Sequence, residues 1–183
     1  VKVCIDACVL YPTVMREMVL GAAEAGLFAP FWSPRILEEW ARAAARFGPE
    51  QEMFARGEIA QLNARWPSAS VPPREGDMRR LYLPDENDIH VLASAIAAGA
   101  DVLLTLNRAD FPGHVLAEEG LRRESPDLFL RDFVDTHPHE MTALAERVLA
   151  EARRLSGEDS WTLRSLMKKA RLPRLGKALE RLG

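Results

Sequence analysis

The sequence predicts an α/β domain with a mostly parallel sheet, on three observations. A short β-branched run, Val1–Ile5 (VKVCI), opens the chain and stops at Asp6, as a buried central strand would. A later apolar strand, Val102–Thr105, follows a helix-patterned segment from about Asn87 to Ala98 and a Gly99 stop. Strand, helix and strand in alternation predict parallel pairing through right-handed crossovers. The 183 residues, 48% hydrophobic and 28% charged, suffice for one substantial core with a small appendage.

The elements follow in order. Pro12 to Gly26 carries Val14, Met18, Ala22 and Ala25 at helical spacing, with Thr13 available as a cap. Phe28–Trp32 is a second strand candidate, and Ser33-Pro34 opens a helix to about Phe47 in cap-then-proline order. Gln51–Trp66 is patterned as another helix, and the proline-containing stretch Pro67–Glu75 as a loop. Beyond the Asn107/Asp110 turn, helices are expected from Ser125 to about Val134, from Thr136 to about Leu155, over Ser160–Ala170 and over Pro173–Leu182. This divides the chain into a main domain, residues 1–135, and a C-terminal helical extension, residues 136–183. The longest apolar runs fall far short of a membrane span and no basic-then-apolar leader precedes them, so a cytoplasmic protein without membrane contact is expected. Cys4 and Cys8 lack the companions that a zinc site needs and are expected to be buried or half-buried thiols.

Four acids are expected to converge. Ligand sites in open parallel sheets gather beyond the carboxyl ends of the strands, and both Asp6 and the Asn107/Asp110 turn follow such ends. Asp6 alone could equally cap the next helix. On the third helix Glu39 lies on the inward track of Ile36, Trp40, Ala43 and Phe47, whereas Glu38 groups outward with Arg42. Asp88 begins the helix carrying Val91, Leu92, Ala95 and Ile96; if Asp85 or Asn87 is that helix's cap, Asp88 is free for another task. Crowded carboxylates raise one another's pKa values unless cations lie between them. Mg²⁺ or Mn²⁺ suits such an all-oxygen site and would polarise a phosphate and activate water.

The segments VCIDACVL, SPRILEEW, PDENDIHVLASAIAAGADVLLT and TLNRADFP, spanning residues 3 to 112, together resemble the PIN-domain family, and in particular VapC-type toxin ribonucleases. SPDLFL at 125–130 resembles the family's usual domain ending. The resemblance implies a PIN-like three-layer fold and a metal-dependent endoribonuclease, the toxin of a toxin–antitoxin pair. It implies that Asp6, Glu39, Asp88 and Asp110 hold Mg²⁺ or Mn²⁺ and act in catalysis, with Thr105 and Asn107 supporting the site; Asp85, just ahead of Asp88, is expected to support it as well. A homodimer and a cognate antitoxin protein are the implied partners besides RNA. The sequence departs from the commonest pattern at Cys8, where many members have a small polar residue, and at Ile89; His90 matches a subset and is expected to pack or hydrogen-bond.

Charge is uneven. Nine Lys/Arg against three Asp/Glu from Arg153 to Gly183 gives +6 there and leaves −9 for Val1–Ala152, within a net charge of −3. Lys168, Lys169 and Arg171, with Arg164, Arg174 and Lys177, could grip an RNA backbone or form a solvated face; Arg108 in the strand-end turn is a further candidate RNA contact. Trp161 could stack on a base or pack the extension. Two other classes compete. A phosphotransferase with a nucleophilic strand-end Asp commonly places a second Asp two residues on, where this chain has Cys8. A non-catalytic module binding RNA or protein would keep the acids for structure alone.

Overall fold

A computed structural model describes all residues from Val1 to Gly183. In chain order the elements are β1 (Lys2–Ile5), α1 (Ala7–Leu10), α2 (Thr13–Glu24), β2 (Ala29–Phe31), α3 (Pro34–Ala45), α4 (Pro49–Arg65) and α5 (Glu75–Arg80). After a short 3₁₀ turn, Glu86–Asp88, come α6 (Ile89–Ala97), β3 (Val102–Leu104), α7 (Gly113–Glu118) and β4 (Arg122–Glu124). The chain closes with α8 (Pro126–Thr136), α9 (Pro138–Ser156), α10 (Leu163–Lys169) and α11 (Pro173–Leu182).

The fold is α/β, with a four-stranded, all-parallel sheet flanked by helices, as the strand and helix alternation predicts. Strand order is β2-β1-β3-β4. Val3 pairs with Pro30 on one side and Val102 on the other, so β1 lies inside the sheet. Every residue of β3 and Val3 to Ile5 of β1 is fully buried, which is why both strands read as unbroken apolar runs. From β1 the chain goes outward to β2 and later returns to the opposite side of β1 as β3. The carboxyl ends of β1 and β3 therefore flank the point where strand order reverses, where crevices form in such sheets.

Contacts divide the chain into two compact units. The first, Val1–Tyr11 with Ala29–Glu124, holds the sheet and α1 with α3 to α7. Within it α6 packs on β1 and β3. Ser33 caps α3 by accepting from the Ile36 amide, as its Ser-Pro start predicts. The second unit, Pro12–Phe28 with Ser125–Gly183, is helical. Its rings Phe28, Phe129 and Phe133 meet edge to face or stacked, and Asp127 accepts from the Arg174 and Leu175 amides at the start of α11. The hydroxyl of Thr13 does not cap α2: Pro12 holds the cap position, with no side-chain bond. Neither cysteine is in a disulfide; Cys4 is buried and Cys8 half-buried. No helix is long and apolar enough to cross a membrane.

Candidate metal centre

The site grows from the ends of the two inner strands. Where β1 stops, the Asp6 amide still donates to the Leu104 carbonyl of β3, at 3.0 Å, so the ladder holds Asp6 beside Thr105. Asp6 is 8% exposed and both of its oxygens are engaged. Oδ1 caps α1 by accepting from the Ala7 amide at 2.8 Å. Oδ2 accepts from the Thr105 hydroxyl at 2.8 Å and the Cys8 thiol at 3.3 Å. One carboxylate thus caps α1 and bonds across to the turn after β3. Burial raises its pKa above the usual aspartate value against the pull of these donors, and the charge on Glu39 adds to the rise.

A hydrogen-bonded chain leads from Asp6 into the turn after β3. Thr105 Oγ1, while donating to Asp6, accepts from the Asn107 amide at 3.0 Å; Asn107 Nδ2 then donates to Asp110 Oδ2 at 2.6 Å. Phe111, fully buried, anchors the turn. Cys8 serves as a small polar residue: its sulfur donates to Asp6 and accepts from the Leu106 amide at 3.4 Å. Burial, with the Asp6 charge adding to it, pushes the thiol pKa up to about 12, so the thiol keeps the proton it donates. Thr105→Val keeps the shape but removes the central hydroxyl of this chain, stranding the Asn107 amide and depriving Asp6 Oδ2 of one donor. A loss of about 1–3 kcal/mol is expected in denaturant unfolding, with Thr105→Ser near wild type. Equal stability of the Val and Ser variants would show that the hydroxyl is not needed.

The helices supply the other acids. Asp85 Oδ1 accepts from the Asn87 amide at 2.9 Å and caps the 3₁₀ turn, whereas Asp88, at the cap position of α6, makes no side-chain capping bond. Asp85, Asp88 and Asp110 each present an oxygen within 4.8 Å of the others. Asp88 Oδ2 is buried and has no hydrogen-bond partner. Burial raises the Asp88 pKa to about 6, with further contributions from Asp6, Asp85, Asp110 and Glu39. All four of those acids therefore act on one carboxyl.

Of the two adjacent glutamates, Glu38 turns outward and forms a two-pronged pair with Arg56, at 2.8 and 3.0 Å, plus a weaker contact with Arg42. Glu39 Oε1 instead meets His90 Nε2 at 2.6 Å. A carboxylate only accepts, so Nε2 carries the proton; Nδ1 is buried without a partner. His90, 1% exposed, thus fixes one oxygen of Glu39.

The tight trio joins Asp85, expected as a supporting residue, to Asp88 and Asp110; Asp6 and Glu39 reach it through their charge on Asp88. Two partnerships escaped sequence reasoning, His90 with Glu39 and Cys8 with Asp6 and Leu106. Partners 51 residues apart leave no periodic signal. Arg108 is exposed in the same turn as Asn107 and Asp110. Lys168, Lys169 and Arg171 are exposed in the second unit.

The donor set suits a hard cation: clustered carboxylate oxygens, one of them buried without a partner, and no Lys or Arg paired with Asp6, Asp85, Asp88 or Asp110. A family model described as PIN domain matches residues 2–109, more than half of the chain, and takes in Asp6, Glu39, Asp85 and Asp88 but stops one residue before Asp110. No curated protein and no solved structure matches.

Proposed function

We propose, from the premise that this chain belongs to the PIN-domain family, a family of nucleases, that it is a Mg²⁺- or Mn²⁺-dependent endoribonuclease and the VapC-like toxin of a toxin–antitoxin pair. The observation that carries the proposal is the crowding of Asp85, Asp88 and Asp110 with the orphaned Asp88 Oδ2 among them. Uncompensated carboxylates at that density are costly unless a cation joins them.

Asp85, Asp88 and Asp110 would hold the ion, with Asp6 adding charge. A divalent cation, when bound, would polarise the scissile phosphate and acidify a water. The chain's own groups do the positioning. Thr105 and Cys8 hold Asp6, Asn107 holds Asp110, and His90 holds Glu39 by Oε1. Glu39 Oε2 remains available to orient a water or accept its proton. In the same proposal Arg108, Lys168, Lys169 and Arg171 meet RNA phosphates, and the protein acts in the cytoplasm as a homodimer silenced by a cognate antitoxin.

The test is incubation of end-labelled single-stranded RNAs with Mn²⁺, with Mg²⁺ and with EDTA. Internal cleavage with either metal and none in EDTA is expected. Intact RNA across varied sequences with both metals would leave a binding module instead.

A further inference from the structure

Beside the acidic cluster, within the first unit, lies a cleft of about 390 Å³ with Cys8, Tyr11, Glu39, Arg46 and Phe47 in its lining. Its volume is that of a small-molecule site, roughly 300–1,000 Å³. Two of its walls belong to the site described above: Glu39 and the thiol bonded to Asp6.

The opposite side is aromatic and basic. Phe47 sits just past the end of α3, its amide bonded to the Ala44 carbonyl, and Gly48 at φ 122° then turns the chain into α4. There Phe47 is 69% exposed, yet its ring lies against Tyr11 with centroids 6.4 Å apart and planes 25° from parallel. A lone exposed phenylalanine would call for no explanation. This one lies beside a second, nearly parallel ring while most of its own surface stays open. Arg46, the preceding residue, is exposed and has no carboxylate partner, although Arg42 and Arg56 nearby in sequence both find Glu38. One edge of an otherwise acidic site thus offers a flat apolar face and a free guanidinium, the two groups that an unstacked nucleotide needs.

We propose that this cleft is a nucleobase subsite, in which an unpaired base of single-stranded RNA stacks on the open face of Phe47 and its phosphate meets Arg46. The subsite rests on the ribonuclease proposal for its substrate class and adds a preference: RNA whose bases are stacked in a duplex cannot use it. An abasic nucleotide at the seated position forfeits it.

The test measures binding and cleavage separately. Single-stranded RNA carrying 2-aminopurine at successive positions is titrated with wild-type protein in EDTA, where it stays whole. Quenching at one position is expected. Phe47→Ala should lose that quenching and bind about tenfold more weakly, and Phe47→Trp should restore both. Arg46→Ala should keep the quenching at saturation while the slope of log affinity against log salt falls by about 0.7. Replacing the quenched base by an abasic nucleotide should erase the difference between wild type and Phe47→Ala. Equal quenching by wild type and Phe47→Ala, absence of quenching at any position, or equal affinity for abasic RNA would overturn the subsite. Should wild type cleave RNA with Mn²⁺ while Phe47→Ala matches its kcat/KM, the subsite falls and the ribonuclease stands. Position-specific quenching lost in Phe47→Ala, without cleavage by wild type, would retain the subsite and remove the nuclease.

Discussion

Asp88→Asn is expected to stabilise the metal-free protein at neutral pH while it removes RNA cleavage. The Asp88 carboxyl, pKa about 6 in the fold against an ordinary 3.8, holds a proton between those values that the unfolded chain has released. The contribution of Asp88 to stability is therefore greatest below about pH 4 and is lost as pH rises through 6. Asparagine carries no charge to repel Asp6, Asp85, Asp110 and Glu39, and so escapes the loss. For a partly exposed carboxyl the gain at pH 7 is about 1 kcal/mol after solvent screening, a few degrees in Tm. Below pH 4 the two proteins should melt together. Cleavage should fall by at least about 10²-fold, because removing even an outer-shell partner of a metal ligand costs about 10–100-fold. Thermal melts in EDTA from pH 4 to 8 check the first half. A variant less stable than wild type at pH 7 would mean that Asp88 is there for structure.

The second large effect separates neighbours in sequence. Glu39→Gln is expected to lower cleavage by about 10²-fold, since an amide cannot accept a proton and contributes no charge to the cluster. Glu38→Gln is expected to cleave at the wild-type rate. Its carboxylate faces Arg56 and Arg42 in a largely exposed ion pair, away from the acidic cluster and screened by solvent. Parallel rate measurements at saturating Mn²⁺ decide the matter; equal activity of the two variants would remove Glu39 from the chemistry.

Much of this was legible in the sequence, for identifiable reasons. β1 and β3 are buried inside an all-parallel sheet, which demands the apolar runs VCI and VLL. The phase of α3 relative to Ile36 and Trp40 separates Glu39 from Glu38, because a rigid helix carries side-chain direction in its spacing. Four short elements carried no such signal. β4 reads RRE, three charged residues on an edge strand, with no apolar run to mark it. α5 reads EGDMRR and buries nothing, so no apolar stripe betrays it. α1 and α7, at four and six residues, are too short for a period to show. The proximity of Asp85 to Asp88 and Asp110 depends on a capped 3₁₀ turn whose bond from Asn87 fixes one oxygen of Asp85. Loop geometry of that kind is settled by tertiary packing.

The most direct measurement is saturable Mn²⁺ binding to the wild-type protein as a function of pH, followed by the loss of the free-ion paramagnetic signal. Binding is expected at neutral pH, weakening by up to about tenfold per unit once pH drops below 6, where a proton on Asp88 competes with the ion. Failure to bind Mn²⁺ at pH 7, or affinity unchanged from pH 7 to 5, would contradict a cation site at the ends of β1 and β3.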